Sequence, residues 1–97
     1  MNDRFAALRD ATAAALLGAP GDVAPDVRRA IAFGTPPADV ADLVQKIRSN
    51  ARSVTDADVD ALRGRYSEDA LFEIIVSAAF GAAHERLVTA RRVLEEA

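Results

Sequence analysis

The sequence predicts an all-α fold, and three observations predict it. Apolar residues recur at i, i+3, i+4 and i+7 instead of alternating. The 51% hydrophobic content comes mainly from Ala, Val, Leu and Ile, with four Phe, one Tyr and no Trp, a composition that packs helices more readily than it builds a sheet. Pro, Gly and capping residues cut the chain into five segments of helical length. The 97 residues read as one domain, residues 1–97, with no internal repeat, low-complexity tract or dividing linker.

The first helix is predicted from Phe5, Leu8, Ala11, Ala15 and Leu16, and it ends at Gly18-Ala19-Pro20-Gly21, where an αL-capable residue precedes a helix breaker. Pro25 and Asp26 open a short second helix through Val27, Ala30 and Ile31, closed by Gly34. Thr35 reads as an N-cap with Pro36 at the first helical position, so the third helix is predicted to start near Pro36. Its stripe is Val40, Leu43, Val44, Ile47 and Ala51. Thr55-Asp56-Ala57-Asp58 resembles a capping box and opens a fourth helix reaching about Arg63. Gly64-Arg65-Tyr66 turns the chain, and Ser67 with Glu68 and Asp69 starts the last helix.

That helix runs towards the C-terminus, and its roughly 29 positions span about 43 Å, longer than a domain of this size can cover with its own helices. From Ala70 to Ala83 its only polar side chains are Glu73 and Ser77, so apolar surface surrounds its whole circumference. Ser77, Ala78, Ala79, Gly81, Ala82 and Ala83 permit close backbone approach. A central helix held between its own domain and a neighbouring subunit is predicted, and hence a homo-oligomer.

Composition excludes several functions. The formal charge of −3 offers no electrostatic footprint for nucleic acid, although Arg28, Arg29, Arg48, Arg52, Arg63 and Arg65 cluster in one half. With no cysteine and one His, disulfides, thiolate nucleophiles and an intrachain metal site are not expected, and no cofactor is implied. The first residues lack the pattern of a signal peptide, and no uncharged stretch reaches membrane-spanning length, so a cytoplasmic protein without a membrane partner is expected.

Val54-Thr55-Asp56-Ala57-Asp58-Val59-Asp60-Ala61-Leu62, followed by Tyr66-Ser67-Glu68-Asp69-Ala70-Leu71-Phe72-Glu73-Ile74-Ile75-Val76-Ser77-Ala78-Ala79, resembles the C-terminal half of the carboxymuconolactone decarboxylase-like, or alkylhydroperoxidase D-like, family. The resemblance covers roughly residues 36 to 94. It implies a five-helix domain with a long Ala-rich C-terminal helix, interlocked with its neighbours into a trimer or hexamer. Thiol-dependent members carry C-x-x-C-x-x-x-H, and the matching positions here are Asp39, Asp42 and Lys46, with Ser53 where a glycine is usual. Without a thiol no sulfenic acid can form, so peroxidase activity is not carried over. The expected function is that of a cysteine-free member of this fold, an oligomeric accessory module or one binding a small apolar or carboxylate ligand. The alternative is a non-thiol lyase, decarboxylase or isomerase with an intersubunit pocket.

For the alternative, the candidate acid–base residues are Glu73, His84 and Lys46, because proton transfer needs titratable groups within hydrogen-bond reach. Glu73 and His84 lie about 16 Å apart on one straight helix, so each would need a partner from another helix or chain. Asp39, Asp42, Tyr66, Ser77 and Phe80 are the candidate binding residues. Five of the eight have a plainer reading. Asp42 and Lys46 form an i, i+4 pair suited to a solvated helix; Tyr66 suits the edge of a core, with its hydroxyl in water; His84 suits packing; Glu73 suits pairing with an Arg. Arg91 with Glu95 and Arg92 with Glu96 read as a solvated helix end.

Overall fold

Five helices and no strand make up residues 3–96, which are the residues the structure, a computed structural model, describes; the side chains of residues 3–6 and 9, Phe5 among them, lie outside that description. The spine is α5 (Glu68–Glu96). Across it lie α2 (Pro25–Phe33) and α3 (Ala41–Asn50), while α1 (Asp3–Gly18) packs on α2 and the single turn α4 (Asp56–Asp60) leads into the spine. Ile31 from α2, Leu43, Val44 and Ile47 from α3, Leu62, and Leu71, Ile74 and Ala78 from α5 form one buried core with Val23 and Val40. Their 3-4 spacing places each set on a single helix face, as amphipathic periodicity requires.

Gly81 makes a close crossing of α2 and α5. A methyl group there would overlap the backbone carbonyl of Ala32, so α2 can lie on α5 only because position 81 has no side chain. Ser77, Ala78 and Ala82, all buried on the same face, extend that small-residue contact.

Helix ends follow the sequence where a side chain caps them. Thr55 and Asp58 form the reciprocal capping box, Thr55 N–H donating to Asp58 at 2.8 Å and Asp58 N–H to the Thr55 hydroxyl at 3.3 Å. Ser67 Oγ accepts the Ala70 N–H at 3.0 Å and donates to the Asp22 carboxylate at 3.1 Å. Gly34 ends α2.

Three expectations are corrected. The third helix does not begin at Pro36: Pro37 confines the residue before it to extended backbone, and a 3-10 turn, Ala38–Val40, precedes α3. Ala51 leaves the buried stripe because α3 gives way there to a second 3-10 turn, Ala51–Ser53. The fourth helix stops at Asp60, and residues 61–65 continue as turns with i to i+3 bonds such as Leu62 N–H to Val59 O at 3.0 Å.

A fourth correction concerns Gly18, which does not cap α1 in a left-handed conformation; no described residue has positive φ. The carbonyls at that end are satisfied from outside. Arg28, 4% exposed, donates to Leu16 O at 2.9 Å and to Ala19 O.

The residues that α5 buries, Ala70, Leu71, Ile74, Ser77, Ala78, Gly81 and Ala82, lie on one of its faces. Phe72 remains 66% exposed, Leu94 75% exposed, and Ala79 and Ala83 are open. The all-round burial expected from composition is therefore not achieved by the chain alone. The same shortfall shows in its shape. The radius of gyration is 14.5 Å against about 12.5 Å for a compact domain of this length, and the 6341 Å² of accessible surface exceeds the roughly 5,400 Å² of a typical monomer of this mass. No described helix is long and apolar enough to cross a membrane.

Candidate functional site

The acid–base candidates lie in three separate environments. Lys46 on α3 reaches Asp58 of the capping box, at 2.8 and 3.0 Å from its two carboxylate oxygens. Asp42, expected to pair with Lys46, is exposed and makes no ion pair with it; Asp58 offers a carboxylate fixed by Thr55 instead. This double engagement, by Lys46 first and the Thr55 backbone second, holds the Asp58 carboxyl below its ordinary value.

Glu73, on α5, accepts the backbone N–H of Asp22 at 2.9 Å, and its carboxylate lies against Gly21 where a methyl would collide. Its partner is thus a loop amide and not an arginine. Ser67, the residue before α5, binds the Asp22 side chain, so the Pro20-Gly21-Asp22 loop is pinned at two points around the start of that helix.

Tyr66 donates its hydroxyl to Asp39 at 2.7 Å, and Arg65 approaches the same carboxylate at 3.9 Å. Two binding candidates are thereby brought together. The phenol's proton is retained above its ordinary range, chiefly because the hydrogen bond to Asp39 favours the neutral form, with burial adding to it. Ser77 is 2% exposed in the helix crossing and faces the interior.

His84 and Phe80 meet Phe33 in an aromatic cluster: Phe33 and His84 are edge-on at 5.1 Å, Phe33 and Phe80 edge-on at 6.1 Å, and Phe80 and His84 stack at 6.1 Å. His84 Nδ1 is buried without a hydrogen-bond partner among the described residues. A general base is normally oriented through its second nitrogen by a carboxylate or carbonyl, and His84 has no such group.

Beside this cluster, where α5 runs past the end of α2, opens a recess of about 460 Å³ bounded by Phe33, Arg48, His84, Val88 and Arg92. Arg48 is held there by the carbonyls of Ile31 and Gly34, which end α2, and Arg86 donates to Arg48 O at 3.2 Å. The recess joins aromatic faces to guanidinium groups, while Glu85 supplies one opposing charge on its rim. Phe33 and Arg48 were not singled out from sequence. Phe80 and His84, four residues apart on a helix, were the only available signal, and the ring completing the cluster comes from another helix.

Glu73, His84 and Lys46 are therefore not assembled within the chain, and no relay connects the three. Among the described residues no three His, Asp or Glu side chains gather closely enough to hold a metal ion. At the end of α5 Arg91 lies 3.6 Å from Glu95. Comparison of the chain with protein-family models, with curated proteins and with solved structures finds no match.

Proposed function

We propose that this protein is a non-catalytic helical module that works as a homo-oligomer, assembling through the open face of α5 in the manner that its resemblance to the carboxymuconolactone decarboxylase-like proteins implies. The single observation that carries the reading is the exposed apolar side of α5, with Phe72 at one end and Leu94 at the other. Monomeric proteins rarely leave large contiguous apolar patches uncovered. The surplus of about 900 Å² over a typical monomer's surface is close to the roughly 800 Å² that each partner contributes to a standard interface. The dispersal of Glu73, His84 and Lys46 among local partners supports an accessory role over acid–base catalysis.

Sedimentation velocity on the purified chain tests this: the expected result is a species heavier than one chain, and Phe72→Glu returns it to monomer. A stably folded monomer at all accessible concentrations would remove the reading.

A small-ligand role is a second reading, favoured by the recess beside His84. Its aromatic lining and its arginines suit an aromatic carboxylate. Benzoate titrated into ¹⁵N-labelled protein is expected to shift the amides of Phe33, His84 and Arg92, with Arg92→Ala weakening the response. Shifts scattered evenly over the molecule would count against a site.

A further inference from the structure

The exposed face of α5 carries a repeat. Phe72, Val76 and Ala79 are followed eleven residues later by Ala83, Leu87 and Ala90, and eleven after Ala83 comes Leu94. These positions lie opposite the face made by Ile74, Ser77, Ala78 and Gly81. Eleven residues per three turns is close to the period of an unstrained α-helix, so the stripe runs nearly straight for about 33 Å and needs no left-handed supercoil to stay in contact with a partner.

We infer that the occupant of this stripe is the α5 stripe of a second copy, running antiparallel and centred between Ala79 and Ala83. The inference rests on the self-association reading and specifies its geometry.

Three features select this arrangement. The first is size. With the two-fold axis between Ala79 and Ala83, Phe72 faces the second copy's Ala90, Val76 lies within one residue of level with its Leu87, and Ala79 faces its Ala83; every layer joins stripe to stripe, a large side chain meets a small one at the ends, and only small ones meet at the centre. The second is charge. The residues bordering the first half of the stripe are Glu68, Asp69 and Glu73, and those bordering the second half are Arg86 and Arg91. An antiparallel partner sets the acidic half of one stripe against the basic half of the other, a field that persists although Glu73 is held by the Asp22 N–H, Glu68 by Arg63, Arg86 by Arg48 O and Arg91 by Glu95 within the chain; a parallel partner sets the two acidic halves side by side. The third is shape. Val93, 60% exposed, and Leu94 extend beyond the six central layers. In this register they reach the second copy's recess of about 200 Å³ between α4 and α5, where Val59, Leu71, Phe72 and Ile75 offer apolar surface beside the Arg63–Glu68 ion pair.

An isologous pair of this kind builds a dimer, or a hexamer with dihedral symmetry, and has no place in a cyclic trimer.

The absence of native cysteine makes cross-linking a clean test. Phe72→Cys and Ala90→Cys each alter an exposed position, and the uncharged thiol keeps position 72 apolar where the carboxylate of Phe72→Glu does not. Equal amounts of the two chains are mixed, allowed to exchange, and oxidised with copper phenanthroline, each variant alone serving as control; the masses of the unaltered chain and of the unoxidised samples are measured in parallel. The expected result is an even-numbered oligomer in which the mixed 72–90 disulfide dominates. In this register the two copies of position 72 lie about 27 Å apart along the axis, beyond disulfide reach. An even-numbered oligomer in which Phe72→Cys alone cross-links as fast as the mixture, or in which neither does, overturns the antiparallel register but leaves self-association standing. A cyclic trimer does the same. A monomeric unaltered chain overturns both.

Discussion

At the scale of single residues, Tyr66, Asp58 and Gly81 give the sharpest readouts. Tyr66 is the sole tyrosine in a chain without tryptophan, so its ionisation can be followed by ultraviolet absorbance without interference. Its proton is retained by the bond to Asp39; the expected midpoint lies above the ordinary tyrosine value and falls in Asp39→Ala. Because the folded-state value is raised, this contact stabilises the fold below the unfolded tyrosine's range and ceases to do so as pH rises through the folded value. Asp58 has the opposite sign. Its carboxyl is held low by Lys46 and Thr55, so its contribution is present above the ordinary aspartate range and disappears as pH falls through the depressed value. Asp58→Asn keeps an acceptor but does not titrate, and it is expected to flatten the acid limb of a stability-versus-pH curve measured by urea denaturation. At Gly81 an added methyl meets the Ala32 backbone, which cannot move aside as a flexible side chain can. Gly81→Ala is expected to cost about 1–3 kcal/mol by overpacking. Gly64, with open space around its position, is the control: Gly64→Ala should change stability by less than about 0.5 kcal/mol.

At the scale of elements, α1 depends on a side chain outside itself. Its last carbonyls are reached by Arg28, a buried cation with two carbonyl acceptors. Arg28→Met preserves much of the volume but leaves those acceptors unsatisfied, and the expected loss is about 2–3 kcal/mol. Amide hydrogen exchange checks the cause, since protection should fall first along residues 11 to 18 while α3 stays protected. Such dependencies explain how far the fold was legible in the sequence. Helices started by a local device, Thr55 with Asp58 or Ser67 ahead of Glu68 and Asp69, were placed well because the capping partner lies within three residues. The start of α3 was misplaced because Thr35-Pro36 imitates a cap while the following Pro37 imposes extended backbone. The candidate site was less legible. Lys46 with Asp58, Tyr66 with Asp39 and Glu73 with the Asp22 amide join residues 12, 27 and 51 positions apart, and helical periodicity carries no information about which residues meet across helices.

At the scale of the whole molecule, composition and coordinates leave the same quantity unaccounted for. The middle of α5 is apolar on every side, the chain covers one of them, and the accessible surface is larger than this mass warrants. If a second copy covers the remainder, folding and association are thermodynamically linked: whatever binds the folded state and not the unfolded one raises its apparent stability by mass action. The midpoint of thermal unfolding, followed by circular dichroism, should therefore rise steadily with protein concentration. Phe72→Lys should abolish that dependence while leaving the helical signal at low temperature unchanged. Phe72 is 66% exposed and lies outside the buried core, so the substitution withdraws the partner without excavating the chain's own interior. The control is Ile74→Ala, four tenths of a turn or more from the open stripe and 1% exposed in the core, which should lower stability by about 2–5 kcal/mol at every concentration while the slope against concentration persists. A midpoint independent of concentration in the unaltered protein, with Phe72→Lys indistinguishable from it, would mean that the open face of α5 is a stable solvated surface and that the chain is complete by itself.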